Sequence, residues 1–289
     1  MKQLTCLLIA AVLLIGTVLP VSATASATGT VTPATGTVTP AAVSSTPATN
    51  YDGSVTTIGA IGVRYLAGGD ARVKARVQKE TTNYDYDLFG RSSFEYFPLQ
   101  LGNGDYSVTI FENVVDNRYR VTDKQVFNSV VKNLLDVFRN SIQTVRWNRS
   151  MKTILKADAL CANLKTDKEK ILAIYQFVTK NFKYDYVKIK TLQSTYVPDI
   201  DKVLAAGKGI CYDYSAVFAA MLRSQGIPAK LIKGYTDNVK EYHAWNEVYL
   251  SYEKRWIVVD TTFDSVYFAA GRKSNMEKAA KLYRAGKEY

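Results

Sequence analysis

After its first fifty residues, the chain shows two successive patterns of apolar and polar positions. From residue 51 to 121 the pattern has a period of two, and glycines punctuate the runs. The alternating apolar residues of two clear runs are Val73, Ala75 and Val77, and then Tyr106, Val108 and Ile110. Such alternation is typical of half-buried strands joined by turns. It predicts a small all-β sandwich over residues 51–121, with an immunoglobulin-like arrangement as one form of such a sandwich.

Beyond Asp123 the pattern becomes helical. Apolar residues recur at intervals of three and four through a first segment made of Val126, Val130, Leu134, Leu135 and Phe138. A second helix is predicted after Thr166, because Thr166 and Glu169 have the spacing of a capping box. Its inward positions are expected to be Ile171, Leu172, Ile174, Tyr175, Phe177 and Val178. We therefore expect an α+β domain over residues 122–289, in which these helices are scaffold.

The first fifty residues predict export rather than a folded domain. A short positive start, an uncharged apolar stretch from Leu7 to Leu19 and small residues around Ala23 predict a signal peptide over residues 1–23. The apolar stretch is too short to span a membrane. Residues 24–50 are almost all small or proline and contain a direct seven-residue repeat, which predicts a disordered linker. We expect a secreted bacterial protein that is extracellular or associated with the cell wall.

The formal charge of +11 adds a second expectation about partners. Lys and Arg are scattered without a run of five or six, so the charge favours a solvated surface over a nucleic-acid site. A basic surface also predicts attraction to anionic cell-wall polymers. The sequence shows no metal-ligand cluster, no phosphate loop and no later transmembrane segment, so we expect no cofactor, no metal and no membrane span.

Cys211 lies where a glycine-rich segment gives way to a helical pattern. Gly207 and Gly209 precede it, apolar residues at helical spacing follow, and Gly226 and Pro228 close the helix. Cys211 is therefore predicted at the N-terminal end of a buried helix. Unpaired N–H groups and the helix dipole favour negative charge there. Both a thiolate nucleophile and the oxyanion of an acyl-transfer intermediate are stabilised at such a place.

His243 is the one histidine of the chain and is therefore the predicted base. It lies in an alternating run, and a polar turn then leads to a second run that ends at Asp260. If the runs form a hairpin, a two-residue loop puts His243 and Asp260 directly opposite, and a four-residue loop puts them one diagonal step apart. A carboxylate there would hold the tautomer and orientation of the imidazole. The predicted catalytic residues are Cys211, His243 and Asp260.

Several motifs within residues 166–264 resemble the transglutaminase-like superfamily. They are Gly-Ile-Cys-x-x-Tyr-Ser before a helix, Gly-Ile-Pro-Ala-Lys, Gly-Tyr, His-Ala-Trp-Asn-Glu-Val and Trp-x-x-Val-Asp-Thr-Thr. The resemblance implies a papain/transglutaminase-like catalytic domain whose Cys, His and Asp triad maps onto Cys211, His243 and Asp260. The family usually has alanine where this chain has Ser215, a small change. Its oxyanion-hole side chain is not identified, and Tyr184, Tyr186 and Tyr196 are candidates that also suit structural roles.

Other interpretations of the same residues stay open at this point. Cys211 could be an inert buried thiol or could pair with Cys161 in a disulfide, which exported proteins commonly form. Cys161 lies in an alanine-rich helical segment and is expected to be a small core residue. Asp260 could be a turn former at the end of a strand.

The triad predicts a thiol enzyme that acts on amide or peptide bonds of a protein or peptide through an acyl-thioenzyme. Water as acceptor gives a cysteine peptidase or amidase, and a lysine amine gives protein cross-linking. We favour hydrolysis slightly, because water is always present and no calcium loop is visible. The alternative is a non-catalytic surface protein that uses the same fold for binding.

Overall fold

The computed structural model describes residues 49–66 and 69–289. The predicted signal peptide and all but the last two residues of the predicted linker lie outside this part of the chain. Export and location therefore stay predictions. Within the described ranges, no helix has both the length and the apolar character needed to cross a membrane.

Seven strands form the N-terminal part of the protein as two antiparallel sheets. They are β1 (Tyr51–Asp52), β2 (Ala60–Val63), β3 (Val73–Lys79), β4 (Thr82–Asp87), β5 (Glu95–Pro98), β6 (Gly104–Val115) and β7 (Arg118–Ser129). One sheet has the order β1-β2-β5 and the other β4-β3-β6-β7. Alternate residues of both sheets face one shared apolar core. The predicted sandwich is confirmed, and its immunoglobulin-like form stays a prediction.

The helix predicted from Val126 to Phe138 is wrong. Residues up to Ser129 continue strand β7, which pairs with β6 along its length, and only a short 3-10 helix follows at Leu134–Arg139. Val126 and Val130 are exposed, so their helical spacing does not mark a buried face. Pairing with a long neighbouring strand decides the structure here over the local pattern. Strand β7 also runs through the domain boundary predicted at residue 121.

A mixed domain of helices and strands follows. Its helices are α1 (Lys152–Cys161), α2 (Asp167–Asn181), α3 (Ile200–Ala206), α4 (Cys211–Ser224) and α5 (Thr261–Ala269). Its strands are β8 (Lys183–Tyr184), β9 (Lys208–Gly209), β10 (Ala229–Thr236), β11 (Val239–Leu250), β12 (Arg255–Val259), β13 (Glu277–Lys278) and β14 (Tyr283–Glu288). Five of them form an antiparallel sheet in the order β13-β12-β11-β10-β14, and β8 pairs with β9 in parallel. The predicted α+β class is confirmed.

Helix α4 is the centre of this domain. Every residue from 212 to 224 is buried, which is expected of a helix that packs against neighbours all round. It lies between the β10–β11 face and helices α1, α2, α3 and α5. Asn246 of β11 fixes the helix to the sheet, because its Nδ2 donates to the carbonyl oxygens of Ser215 and Lys230, each at 3.0 Å. Helix α4, which begins at Cys211, is therefore anchored to the sheet.

Helix α2 begins as the capping box predicts. The Thr166 hydroxyl accepts from the Glu169 N–H at 3.2 Å, and the Glu169 carboxylate accepts from the Thr166 N–H at 2.9 Å. Its inward face includes Ile171, Ile174 and Val178, as expected, but Leu172 is exposed. The helix is scaffold for α4 and α5, against which it packs.

The last strand joins the two parts of the protein. Tyr289 packs its ring against Tyr84 of the sandwich, with centroids 5.6 Å apart. Lys287 Nζ donates to the Asn83 carbonyl oxygen at 2.6 Å, and Gln100 Nε2 donates to the Glu288 carbonyl oxygen at 3.0 Å. The sandwich therefore borders the five-stranded sheet at its β14 edge.

Candidate active site

Cys211 is the first residue of α4, as the sequence predicts. Ile210 before it is extended (φ −95°, ψ 175°), so the chain turns into the helix at the thiol. The bond from the Tyr214 N–H to the Ile210 carbonyl oxygen, at 3.1 Å, is the first of the helical pattern. The N–H groups of residues 211–213 come before this first bond, so the helix itself offers them no carbonyl acceptor. Such groups attract anions.

Neither cysteine of the described chain is paired. Cys161 is buried in α1 and Cys211 is half-buried at the helix start. The alternative of a Cys161–Cys211 disulfide is therefore wrong, and Cys161 is the small core residue that the sequence predicts. Desolvation raises the pKa of the Cys161 thiol, which keeps it protonated and unreactive.

The hairpin of β11 and β12 brings His243 and Asp260 together. Residues 251–254 form a four-residue loop, and Asn246 pairs with Val259, so Asp260 falls one diagonal step from His243 on the same face. His243 Nε2 lies 2.9 Å from Asp260 Oδ2. This confirms the geometry predicted for a four-residue loop. Since Nε2 is engaged by the carboxylate, Nδ1 is the ring nitrogen left for other partners.

Asp260 accepts two further hydrogen bonds. It caps α5, because its Oδ1 accepts from the Phe263 N–H at 3.0 Å. Its Oδ2 also accepts from the Tyr283 hydroxyl at 3.1 Å. Full burial acts to raise the pKa of Asp260, but His243 and these hydrogen bonds outweigh it and hold the pKa below its usual value. Asp260 therefore caps α5, as a turn-forming residue would, and also contacts His243, as its predicted role requires.

His243 faces both the carboxylate and the thiol. Burial acts to lower the pKa of the imidazole. The charge and hydrogen bond of Asp260, and then the hydrogen bond and charge of Cys211, act in the other direction and raise the pKa well above its ordinary value. The imidazolium is therefore the favoured state of His243. The structure brings all three sequence-predicted residues into one chain of contacts.

Beneath the thiol lies a buried ionic network that the sequence analysis left without a role. Asp213 is fully buried, and its Oδ2 accepts from the Ile210 N–H at 2.8 Å and from Lys188 Nζ at 2.6 Å. Tyr196 donates to Asp213 Oδ1 and accepts from Lys188 Nζ at 2.6 Å. Gly209 leaves room for this carboxylate, since a Cβ there would lie 2.6 Å from Asp213 Cβ. Lys188 offsets the negative charge next to the helix start.

The three tyrosines considered for an oxyanion hole have different surroundings. The Tyr196 hydroxyl is engaged by Asp213 and Lys188, which fits its structural interpretation. Tyr186 is exposed, and its ring packs against that of Tyr184 at an angle of 59°, with centroids 4.8 Å apart. Tyr184 is the register partner of Gly209, two residues before the thiol. Tyr184 therefore stays a candidate, beside the backbone N–H groups of α4.

Tyr283 is a site residue that sequence reasoning missed. It reaches Asp260 because β14 pairs with β10, with Thr236 opposite Tyr283. Gly234 permits that approach, since a Cβ there would lie 2.2 Å from the Arg284 carbonyl oxygen and 2.8 Å from the Trp245 ring. The Gly234-Tyr235 motif was the available signal, although it did not identify which strand would lie beside the glycine.

Among residues 49–66 and 69–289, no group of three or more His, Cys, Asp or Glu side chains is placed to hold a metal ion. The three aligned groups of the site are those of thiol chemistry: a half-buried thiol, a buried imidazole and a buried carboxylate. This arrangement on an α+β fold defines the class of papain-like thiol sites.

Comparison with known sequences agrees with this class. Residues 156–261 match the model described as the transglutaminase-like superfamily. A peptide-N(4)-(N-acetyl-beta-glucosaminyl)asparagine amidase of Caenorhabditis briggsae is 37% identical over 62 residues, which is 22% of this chain and 10% of the amidase. The chain thus matches about a tenth of that relative's length. The part of the chain that resembles this superfamily is thus residues 156–261.

Solved structures show a looser likeness. A proposed cysteine protease from Cytophaga hutchinsonii has a TM-score of 0.39 and 16% identity, with 69% of each chain covered. The periplasmic domain of TgpA from Pseudomonas aeruginosa has a TM-score of 0.37 and 14% identity, covering 76% of this chain and 97% of that one. A red sea bream transglutaminase has a TM-score of 0.32 and 13% identity, covering 70% and 48%. At this level the likeness carries no functional argument.

Proposed function

We propose that this protein is a cysteine-dependent acyl-transfer enzyme that acts on amide or peptide bonds of proteins or peptides. The observation that carries the proposal is the position of His243, with Asp260 Oδ2 at 2.9 Å from Nε2 and Cys211 as a further interaction partner. The transglutaminase-like domain supports a cysteine-dependent class of enzyme in general terms. Cys211 is the nucleophile, His243 the acid and base, and Asp260 the group that orients the imidazole.

The residues present account for each proton of the reaction. The Cys211 thiolate attacks the amide carbonyl carbon, and the oxyanion faces the N–H groups at the start of α4. The imidazolium of His243 donates its proton to the leaving amine, which departs as the acyl-thioester forms. The neutral imidazole then removes a proton from the acceptor that attacks the thioester. The C–S bond breaks, the acylated acceptor leaves, and the Cys211 thiolate and the His243 imidazolium are restored. Asp260 stays ionised throughout and stabilises the imidazolium.

Water is the proposed acceptor, which makes the enzyme a peptidase or amidase. Hydrolysis needs no second binding site, and the matched stretch of the C. briggsae relative belongs to a protein named an amidase. A lysine amine as acceptor would instead give cross-linking through the same acyl-enzyme. The triad serves both outcomes, so the acceptor is a question for experiment.

We further propose that the enzyme acts outside the cell, with its basic surface attracted to anionic cell-wall polymers. The supports are the leader-like first residues and the formal charge of +11. Attraction of this kind is screened by salt. Sedimentation with purified walls should therefore decline as salt rises, and wall binding that ignores salt contradicts this part of the proposal.

One assay tests the enzyme and its acceptor together. A fluorescent amine and a glutamine-containing protein report cross-linking, while release of new amino groups from the same protein reports hydrolysis. We expect release of amino groups by the wild-type chain and none by Cys211→Ala. Cys161→Ala is the matched control and should retain activity. Activity in the Cys211→Ala chain would refute the proposed function, and inactivity of all three chains towards a broad panel of peptides would favour a binding protein.

A further inference from the structure

The ammonium of Lys233 on β10 lies over the ring of Tyr212, the residue that follows the candidate nucleophile. Its Nζ lies 3.5 Å from the centre of the Tyr212 ring and 5.4 Å from that of Tyr289. Among the described residues, no oxygen accepts a hydrogen bond from this ammonium, and no carboxylate forms an ion pair with it. Burial lowers the pKa of Lys233 to about 8, and the Cys211 thiolate acts in the opposite direction. The charge of Lys233 therefore interacts with the charge of the Cys211 thiolate.

Lys230, three residues before Lys233 on β10, has different surroundings. Lys230 has Nζ 3.0 Å from Glu288 and 3.4 Å from Glu247, so its charge is neutralised. An unpaired charge at a half-buried position costs free energy. The chain therefore sustains at Lys233 a cost that it avoids at Lys230, three residues earlier.

A second lysine increases the positive charge at this place. Lys287 of β14 is the register partner of Lys233, so the two like charges lie on directly opposite positions of neighbouring strands. Like charges so arranged are destabilising. Lys287 Nζ donates to the Asn83 carbonyl oxygen at 2.6 Å and interacts with the charge of Asp85. The Lys233 ammonium over Tyr212, with a second lysine on the neighbouring strand, is therefore a candidate site for an anion.

The free donors of Lys233 favour an anion that carries oxygen acceptors. The Lys233 ammonium has donors to spare, and both Lys233 and Cys211 are half-buried, so solvent reaches each of them. The aromatic rings on either side restrict the approach to the Lys233 head group. A carboxylate fits such a donor, and it is the anion that proteins and peptides carry near their amide bonds.

We propose that Lys233 forms a carboxylate-binding subsite beside the Cys211 thiol, which narrows the substrates to amides that carry a carboxylate near the reacting bond. This subsite rests on the proposed function and deepens it. The carboxylate belongs to an acidic side chain or to a chain terminus, and both present the same chemistry to the ammonium. Tyr212 and Tyr289 provide the rings around the ammonium, and Cys211 interacts with its charge. Asp213 and Tyr196 interact with Tyr212, and Tyr84, Asp85 and Tyr242 interact with Tyr289.

Two alkylating reagents of similar size test the subsite on the full chain. Iodoacetate carries a carboxylate and iodoacetamide does not, so the ratio of their rates at Cys211 measures local attraction for a carboxylate. We expect Lys233→Met to lower this ratio by about tenfold, at the lower end of the enrichment that charged clefts give. Lys233→Arg keeps the charge and should keep most of the ratio. Lys230→Met is the matched control on the same strand and should leave the ratio unchanged.

The pH dependence of the ratio is a second readout. The ammonium is charged below its pKa of about 8 and neutral above it, so the wild-type ratio should fall as the pH rises through that value. In Lys233→Met this step should be missing, while any contribution of His243 or Lys287 remains. An unchanged ratio in Lys233→Met, with Cys211 reactive to both reagents, would overturn the subsite and leave the proposed function intact.

A Cys211 that reacts with neither reagent would instead contradict the proposed function. The subsite is then judged by titrating a Cys211→Ser chain with acetate and following the Lys233 ammonium signal by NMR. A saturable shift supports carboxylate binding at Lys233, and no shift contradicts it. A final comparison of peptides with glutamate and with a free terminal carboxylate tells which source of the carboxylate the enzyme prefers.

Discussion

The N-terminal sandwich and the domain that follows it bury different kinds of side chain. The sandwich core consists of aliphatic and aromatic residues, and Glu112, at its margin, is the one buried acidic or basic side chain among its described residues. The second domain buries Asp213, Arg223, His243, Asp260 and Asp264. Buried charges cost free energy unless they are paired or hydrogen-bonded. The sandwich is therefore held by ordinary apolar packing, whereas the second domain sustains that cost both at the candidate site and at structural positions away from it.

The largest effect is expected on the rate of amide hydrolysis, in which two buried aspartates of the second domain should differ. Asp260→Asn removes the charge that holds the His243 imidazolium, so the rate of amide hydrolysis should fall by about 10²- to 10⁴-fold. Asp264 is equally buried but bonds to Tyr175 at 2.8 Å and to Lys278, away from the thiol. Asp264→Asn should therefore affect the free energy of unfolding more than the rate. Measured kcat/KM and urea unfolding of both variants check this, and equal loss of rate would break the distinction.

Arg223 tests whether the polar groups of the second domain also stabilise it. Its fully buried guanidinium donates to three carbonyl oxygens, those of Ala229 at 2.9 Å, Asn140 at 2.8 Å and Tyr289 at 2.9 Å. Arg223→Met leaves these oxygens without their donor, and the free energy of unfolding should fall by about 4 kcal/mol. Urea denaturation followed by circular dichroism measures the change. A variant as stable as the wild type would show that the carbonyl groups find other partners.

The sandwich should respond in stability without a change in chemistry. Ile110→Ala creates a cavity in the sandwich core and should lower the free energy of unfolding by about 3 kcal/mol. At a temperature where the variant is folded, the alkylation rate of Cys211 should equal that of the wild type. Urea denaturation and timed alkylation measure the two quantities. A slower alkylation in the folded variant would mean that the sandwich shapes the site through its contact with β14.

The smallest effect is expected at Tyr283. Tyr283→Phe removes one hydrogen bond to Asp260 Oδ2, so stability should fall by about 1 kcal/mol. That bond is one of the causes that lower the pKa of Asp260, and the stability gained from a lowered carboxyl pKa is lost as the pH falls through it. The loss of stability at acid pH should therefore begin at a higher pH in the variant than in the wild type. Unfolding free energies measured across acid pH test this, and a loss that begins at the same pH in both contradicts it.

Local rules suffice for much of this protein. The alternation at Val73 to Val77, the capping box at Thr166 and the glycines before Cys211 each act within a few residues, and the structure confirms all three. The pairing of His243 with Asp260 follows from a four-residue turn and the two-residue period of strands, which fixes a contact across 17 residues. These relations depend on backbone geometry rather than on the rest of the fold.

The remaining features depend on contacts between distant segments. Tyr283 reaches Asp260 and Lys233 faces Lys287 only because β14 returns to pair with β10. The network of Asp213, Lys188 and Tyr196 likewise joins residues up to 25 apart through a loop without regular periodicity. The helical interpretation around Val126 was wrong for the same reason, since pairing with β6 outweighs local spacing there.

The central claim is that the thiol at the start of α4 is ionised by the chain's one histidine. Its most direct measurement is the rate at which iodoacetamide modifies Cys211 at pH 6, followed by mass spectrometry of the Cys211 peptide. The account predicts fast modification in the wild type, and a rate in His243→Ala that drops to that of an ordinary free thiol. Equal rates in the two chains, or a wild-type Cys211 no more reactive than a free cysteine, would contradict it.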